Sequence, residues 1–369
     1  MQITSIGLDR LRLDLDPPFL AAWDPDPRQH FDATIVRVVT DEGLIGIGSG
    51  DTMAGLAGHE HLFIGQDPRD ISRHVRAIET INFHGGRCWP LEVALWDIIG
   101  QATGQPVAAL FGNALRRLPA YASCGELKSP TARAESALAL REQGFRAMKI
   151  RIDRDRLDEG VAAVAATREA VGDDLEIMVD LNQSWRMVGD VDPALDLSSV
   201  RRTVRRLAEL DVYWVEEPLP YHDRAGLRAL RAETGMRIAA GEMLDSVPAV
   251  LDLLEHDALD VFQMDVVLAL GMSRARTLGE LALLKHRSFT PHTWSNGIGV
   301  LANLHVVAGI GGGPYLEFPY DPPGWTPQRR DFMLAEPVTV GDDGCIEVPQ
   351  TPGIGAVLDP DAIDRWRIT

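Results

Sequence analysis

The chain has 369 residues, of which 45% are apolar and 24% charged, as is usual for a globular protein. Its formal net charge of −18 argues against nucleic acid and anionic membrane surfaces as partners, because both carry negative charge. The three cysteines have no paired spacing, so we expect a reduced, cytoplasmic protein. We also expect neither a signal peptide nor a membrane-spanning segment, because no apolar run has the necessary length.

The first 118 residues predict a small α+β domain, because a sheet pattern is followed by helices without alternation. The predicted elements are a strand at 3–15, a loop at 16–32, a hairpin at 33–50, and helices at 67–83 and 90–111. Four prolines indicate that the segment between strand and hairpin is a loop. That loop carries Trp23, whose ring we expect either to cover a ligand or to pack beneath the loop.

From Pro119 onward the pattern changes to strands alternating with helices. The predicted strands are 119–123, 145–151, 175–180, 212–216, 237–241, 260–264, 287–291 and 314–317. Seven helices separate them, and no strand is followed by a glycine fingerprint for a dinucleotide. The pattern therefore predicts a closed (β/α)7β barrel over residues 119–329 within an α/β fold. Residues 330–369 are rich in Pro and Gly, and we expect them to return to the first domain.

Seven of the eight predicted strands share one feature, an ionisable residue at or near the carboxyl end. These residues are Lys149, Arg151, Asp180, Glu216, Glu242, Asp265, His292 and Glu317. The carboxyl ends of parallel barrel strands meet on one face, which is the face that carries active sites in such barrels. The spacing therefore predicts one site assembled from all these strands.

Three neighbouring strands end in acids, Asp180, Glu216 and Glu242, which together offer only oxygen ligands. Hard divalent cations such as Mg²⁺ prefer oxygen, and the lack of a nearby Cys or His argues against zinc. Glu217 and Asn182 adjoin these acids and could orient them. The alternative is that the acids pair with Lys and Arg from neighbouring strands.

Groups suited to proton transfer flank the three acids. Lys149 and Arg151 are two residues apart on one strand, so both face the same way, and each cation should lower the pKa of the other. His292 is expected beside Asp265, which would fix its tautomer. A base on each side of a metal-bound carboxylate is the arrangement required to remove a proton from the α-carbon.

Several motifs, in this order, resemble the enolase superfamily. They are TDEGLIGIG, WPLEVALWD, VDLN, WVEEP, AAGE, QMD, PHTW and LEF. The resemblance is to the mandelate racemase/muconate lactonising enzyme branch and closest to its sugar-acid dehydratases. It implies an α+β capping domain, completed by the C-terminal tail, on a (β/α)7β barrel. It also implies that the three acids bind Mg²⁺, that His292 and Asp265 form a dyad, that Glu317 hydrogen-bonds a substrate carboxylate oxygen, and that the loop at 16–32 covers the substrate.

Two departures from the family pattern bear on the reaction. Many relatives have Lys-x-Lys where this chain has Lys149-Ile150-Arg151, and arginine is a poor base at neutral pH. Asn182 stands where relatives acting on galactonate or mannonate often have His. We therefore expect Mg²⁺-dependent dehydration of an acid sugar to a 2-keto-3-deoxy acid. Alternatives are a racemase, epimerase or cycloisomerase using the same first step, and a non-catalytic binding protein. We also expect a homo-oligomer.

Overall fold

The computed structural model describes residues 1–368, which begin with a three-stranded antiparallel sheet. Its strands are β1 (Ile3–Phe19), β2 (Arg28–Thr40) and β3 (Ile45–Ser49). The strand at 3–15 and the hairpin at 33–50 are thus confirmed. The loop prediction for 16–32 is wrong at both ends, because only residues 20–27 lie between the strands. The pairing register shifts between Asp14 and Phe19, so the two prolines in that stretch lie outside regular pairing and do not end the strand.

Three helices complete the N-terminal part, namely α1 (Ile71–Gly85), α2 (Trp89–Thr103) and α3 (Val107–Leu110). Helix α2 packs directly on β3. A Cβ atom on Gly46 would lie 2.0 Å from the carbonyl oxygen of Ala94, and one on Gly48 would lie 1.9 Å from that of Pro90. The two glycines of the hairpin therefore allow a contact between backbones that no larger residue permits.

The second sheet has nine strands, of which eight are parallel. They are β4 (Arg117–Ser123), β5 (Ala147–Arg151), β6 (Glu176–Asp180), β7 (Val215–Glu216), β8 (Ile238–Ala240), β9 (Val261–Phe262), β10 (Ser288–Phe289) and β11 (Leu316–Pro319). The intervening helices are α4 (Pro130–Glu142), α5 (Leu157–Val171), α6 (Leu197–Glu209), α7 (Arg224–Thr234), α8 (Val247–Glu255), α9 (Gly271–Leu284) and α10 (Gly297–Ile310). Strands β4 to β10 follow one another in chain order, and β11 pairs with the free side of β4. The predicted alternation of strands and helices is confirmed.

Several strands are shorter than predicted, and β7, β9 and β10 have two residues each. As a result, Glu242, Asp265 and His292 lie in the loops that follow their strands. Gly241, at a φ of 118° that favours glycine, turns the chain immediately before Glu242. The site described below therefore combines rigid strand ends with loop residues.

The fold is α/β, with the helices packed around a curled sheet. Inside the curl lies a cluster of six buried side chains, Tyr121, Ala147, Met178, Trp214, Ala239 and Val261. Among the described residues no ladder joins β10 to β11, although the Gly313 N–H donates to the Phe289 carbonyl oxygen at 2.9 Å. Full closure into a (β/α)7β barrel thus stays a prediction.

The C-terminal segment contacts both parts of the molecule. It contains α11 (Pro327–Arg330), β12 (Cys345–Glu347) and α12 (Pro360–Trp366). Strand β12 pairs antiparallel with β4, whereas α12 packs on β1. Buried Asp97 of α2 accepts hydrogen bonds from the backbone N–H groups of Ile47 and Ile354, at 3.0 and 2.9 Å. The domain limits at residues 118 and 329 stay a prediction.

Along residues 1–368, every helix is too short or too polar to cross a lipid bilayer.

Candidate active site

Asp180, Glu216 and Glu242 form a buried cluster at the carboxyl ends of three adjacent strands. Asp180 ends β6, Glu216 ends β7, and Glu242 follows β8 by two residues. One carboxylate oxygen from each lies within 4.8 Å of the others. The structure therefore brings together the three acids that the sequence predicts as metal ligands.

The electrostatics of this cluster fit a cation. Burial and the neighbouring carboxylates raise the pKa of both Glu216 and Glu242, because each would carry its charge out of water. Glu242 Oε2 is buried and has no hydrogen-bond partner. Three buried carboxylates with an unpartnered oxygen make a hard, all-oxygen donor set, which matches the preference of Mg²⁺.

Lys149 and Arg151 lie on one side of the cluster. Lys149 Nζ contacts Glu216 and lies 2.7 Å from Glu317 Oε1, while Arg151 donates hydrogen bonds to Asp180 and Asn182. The expectation of a lowered lysine pKa is wrong. Burial does lower the pKa of Lys149, but the surrounding carboxylates outweigh both burial and Arg151 and raise it. Both residues are thus held as cations against the acids.

The opposite side carries His292 and Asp265. His292 Nδ1 lies 2.9 Å from Asp265 Oδ2, so the N–H on Nδ1 donates to the carboxylate. His292 Nε2 then faces the cluster, 3.5 Å from Glu242 Oε2. The expectation that no histidine lies near the three acids is therefore wrong. Burial would lower the pKa of His292, but the neighbouring carboxylates raise it to about 9. A cation held by Glu242 would remove part of that negative charge.

Glu317, on β11, lies beside Lys149 and makes three contacts. Its Oε1 accepts a hydrogen bond from Ser123 Oγ at 2.7 Å as well as the lysine contact, and its Oε2 accepts from the Thr293 N–H at 2.7 Å. Burial alone would raise its pKa, but Lys149, His292 and Arg151 together outweigh burial and the pKa falls to about 2. The expected hydrogen bond to a substrate carboxylate stays a prediction, and it would require a proton on Glu317.

Asn182 and Glu217 follow two of the clustered acids, and each has a φ of 45°. Asn182 Oδ1 accepts from Arg151 at 2.8 Å, so it orients that guanidinium. Glu217 accepts a hydrogen bond from the Tyr221 hydroxyl and is buried. Neither belongs to the group of three carboxylates.

Three further residues, which the sequence did not predict, form hydrogen bonds with the site residues or with one another. Trp185 Nε1 donates to Glu242 Oε1 at 2.6 Å. Trp294 Nε1 donates to Ser123 Oγ at 2.7 Å, and that hydroxyl in turn donates to Glu317. Ser123 ends β4, so counting hydroxyls as well as ionisable groups at strand ends would have found it. The two tryptophans lie in loops without periodicity and carry no comparable signal.

Trp23 connects the loop at 20–27 to this site. Its ring lies 4.2 Å from the Arg151 guanidinium carbon and meets Trp294 edge to face, with centroids 4.7 Å apart. It also lines a cavity of about 290 Å³ that is bordered by Asn182 and Trp185. Trp23 therefore both packs on aromatic neighbours and faces open space beside the site.

Residues 132–362 match the family model described as enolase C-terminal domain-like. The chain is 27% identical to the D-galactarolactone cycloisomerase of Agrobacterium fabrum, covering 100% of this chain and 99% of the relative. It is 26% identical to the D-gluconate dehydratase of Thermoproteus tenax, and the alignment covers 96% of this chain and 73% of the relative. Among solved structures, this chain is similar to the crystal structure of a racemase from Streptomyces coelicolor A3(2) with bound magnesium. The two sequences are 26% identical, and the structures superpose with a TM-score of 0.83, covering 99% of this chain and 100% of that chain.

Proposed function

Because this chain belongs to the enolase C-terminal domain-like family, we propose that it is a Mg²⁺-dependent dehydratase of an acid sugar. The observation that carries the proposal is the buried carboxylate cluster with His292 on one side and two fixed cations on the other. The reaction would remove the proton α to a carboxylate and expel the β-hydroxyl, giving a 2-keto-3-deoxy acid.

Asp180, Glu216 and Glu242 would hold the metal. When bound, Mg²⁺ would supply the positive charge that stabilises the dianionic substrate after loss of the α-proton. The Lys149 ammonium and the Arg151 guanidinium add positive charge on the same side, held in place by the acids. Such preorganised charge lowers the barrier because it needs no reorganisation during the reaction.

His292 would remove the α-proton. Asp265 accepts the hydrogen bond from Nδ1, which leaves the lone pair on Nε2 directed toward the cluster. Asp265 is itself held by the Val267 N–H at 2.8 Å. The imidazole is therefore fixed in the tautomer and orientation that proton abstraction requires.

The same histidine can complete the elimination. After it takes the α-proton, the C–H electron pair is delocalised onto the substrate carboxylate. That pair then forms the new Cα=Cβ bond as the β C–O bond breaks. The imidazolium returns a proton to the leaving oxygen, so water departs and His292 is neutral again. The enol that remains tautomerises to the 2-keto-3-deoxy acid. This route needs an acid and base on one face only.

Among residues 1–368, the other face offers no comparable base. Arg151 stays protonated at neutral pH, and Lys149 Nζ is held by Glu216, Glu317 and Asp180. Racemisation requires a base on each face, so this arrangement favours elimination. The second candidate is cycloisomerisation, which one observation favours: the cycloisomerase relative aligns over 100% of this chain and 99% of its own length.

The test is to incubate the Mg²⁺-loaded protein with a library of acid sugars and to assay release of 2-keto acid, with parallel NMR in D₂O. A dehydratase releases keto acid. A cycloisomerase yields an isomer of the substrate without losing water, whereas a racemase exchanges the α-proton and inverts the centre. Turnover by inversion alone, with no keto acid from any acid sugar, would overturn the proposal.

A further inference from the structure

From the charges around the cavity beside Trp23, we infer that the substrate is an acid sugar with a single carboxylate and an uncharged polyhydroxyl chain, and not a diacid. The inference rests on the proposed function, because it assumes that the substrate carboxylate binds at the three clustered acids. The cavity, of about 290 Å³, lies just below the range of roughly 300–1,000 Å³ that small-molecule pockets occupy.

The cavity adjoins the proposed reaction centre through three of its lining residues. Trp23 stacks on Arg151, Asn182 accepts a hydrogen bond from Arg151, and Trp185 donates one to Glu242. A substrate whose carboxylate end lies at the cluster would therefore extend its far end into this space. The lining of the cavity then decides which far end is accepted.

Acids outnumber bases in that lining. Five aspartates line the cavity, Asp24, Asp153, Asp155, Asp190 and Asp192, against two arginines, Arg154 and Arg186. Asp24 and Asp153 pair with Arg28 and Arg156, which lie outside the lining, so Asp155 is the lining carboxylate that no described cation neutralises. A second substrate carboxylate would approach this uncompensated negative charge, where like charges repel and where it would lose part of its hydration.

Both arginines already have partners. Arg154 pairs with Asp190 at 2.6 Å and with Asp192 at 3.1 Å. Arg186 donates hydrogen bonds to the carbonyl oxygens of Asn182 and Trp185, at 3.0 and 2.8 Å. Among the described lining residues, no guanidinium is free to take a substrate carboxylate without losing a contact.

Hydroxyl groups suit this lining better. Carboxylates accept hydrogen bonds but cannot donate them, and a hydroxyl can donate to them. Asp155 illustrates this, since its exposed carboxylate lines the cavity and pairs with no cation in the residues described. A polyhydroxyl chain would find acceptors here, whereas a terminal carboxylate would bring only further acceptors.

The experiment compares matched acids that differ only at the far end, D-gluconate with D-glucarate and D-xylonate with xylarate. Affinity is measured by titration calorimetry of the full-length protein in saturating Mg²⁺, and release of keto acid is assayed separately. We expect each monoacid to bind at least about tenfold more tightly than its diacid. Equal or reversed affinities overturn the inference, and so does a failure of all four acids to bind. Release of keto acid tests the proposed function independently of that ratio.

A charge-reversal variant examines the cavity itself. Asp155→Lys should reduce the monoacid preference at least about threefold, because it places a cation in the lining. Glu169→Lys makes the same change of charge on the exposed face of α5 and should leave the preference unchanged. If both variants, or neither, alter the ratio of affinities, the cavity does not select the far end and the inference fails.

Discussion

The indole N–H of Trp185 donates a 2.6 Å hydrogen bond to Glu242 Oε1, an oxygen of one of the three clustered acids. Groups that hold a metal-binding residue in place commonly contribute 10–100-fold to metal affinity. Trp185→Phe keeps an aromatic ring, although a smaller one, and removes the donor, so we expect Mg²⁺ affinity to fall about tenfold, measured by titrating Mg²⁺ against melting temperature. Trp366→Phe, in α12, is the control. An unchanged Mg²⁺ titration for Trp185→Phe would mean that this hydrogen bond does not position Glu242.

Bound Mg²⁺ should stabilise the folded protein, because it neutralises buried carboxylates that otherwise repel one another. At a metal concentration of 100 times Kd the gain is about 2.7 kcal/mol. Calorimetry should show a higher melting temperature in Mg²⁺ than in EDTA, and EDTA should abolish turnover. Asp180→Asn should lose most of the Mg²⁺ shift, whereas Asp173→Asn, on the exposed surface, should retain it. Equal shifts in both variants would remove Asp180 from the metal site.

His292→Asn should abolish both keto-acid release and exchange of the α-proton with D₂O, because the proposed mechanism has no other base on that face. We expect a loss of about 10²–10⁴-fold or more. Arg151→Lys should keep measurable exchange, since it preserves the positive charge. His256→Asn, at an exposed position, is the control. Exchange at the wild-type rate in His292→Asn would mean that the base lies on the side of Lys149 and that His292 is not the base.

Trp23→Ala should raise KM or alter substrate preference, because the ring covers Arg151 and lines the cavity. The measurement is steady-state kinetics together with melting temperature. Leu20→Ala, on the same loop but 57% exposed, should change neither. A large loss of melting temperature in Trp23→Ala with unaltered kinetics would assign the ring to aromatic packing alone.

Asp97 should make stability depend on pH. Its burial raises the pKa from 3.8 to about 6, equivalent to about 3 kcal/mol. The folded state therefore holds this proton more tightly than the unfolded chain. The contribution of Asp97 to the free energy of unfolding is fully present below pH 3.8 and is lost as the pH rises through about 6. The melting temperature of wild type relative to Asp97→Asn should fall between pH 4 and 7. A constant difference across that range would contradict the assignment.

The order of elements and the clustered acids could be predicted because most strands of the large sheet are short apolar runs with an ionisable residue at or just beyond the carboxyl end. Strand length could not, since Gly241, Gln263 and Thr290 follow the last residues of their strands and are still buried, so the paired segment ends before the buried one. The prolines at 17 and 18 predict a loop, but a register shift in the pairing of β1 with β2 allows the strand to contain them.

The pKa of Lys149 could not be predicted from the sequence either. The sequence places Lys149 beside Arg151 but does not reveal that three carboxylates surround its ammonium, and those contacts reverse the expected pKa shift. Trp185 was missed for a related reason. Its hydrogen bond spans 57 residues between two loops, and no local pattern encodes such a pairing.

The contact from Asp97 to Ile354 spans 257 residues, and the pairing of β12 with β4 spans 346 − 118 = 228 residues at Ile346 and Leu118. During synthesis, therefore, α2 and the first strand of the large sheet leave the ribosome long before the segment that satisfies them. Until residues 345–354 are synthesised, the Asp97 carboxylate lacks one of its two backbone donors and β4 lacks one of its neighbouring strands. This part of the molecule is where a chaperone would have the longest opportunity to act.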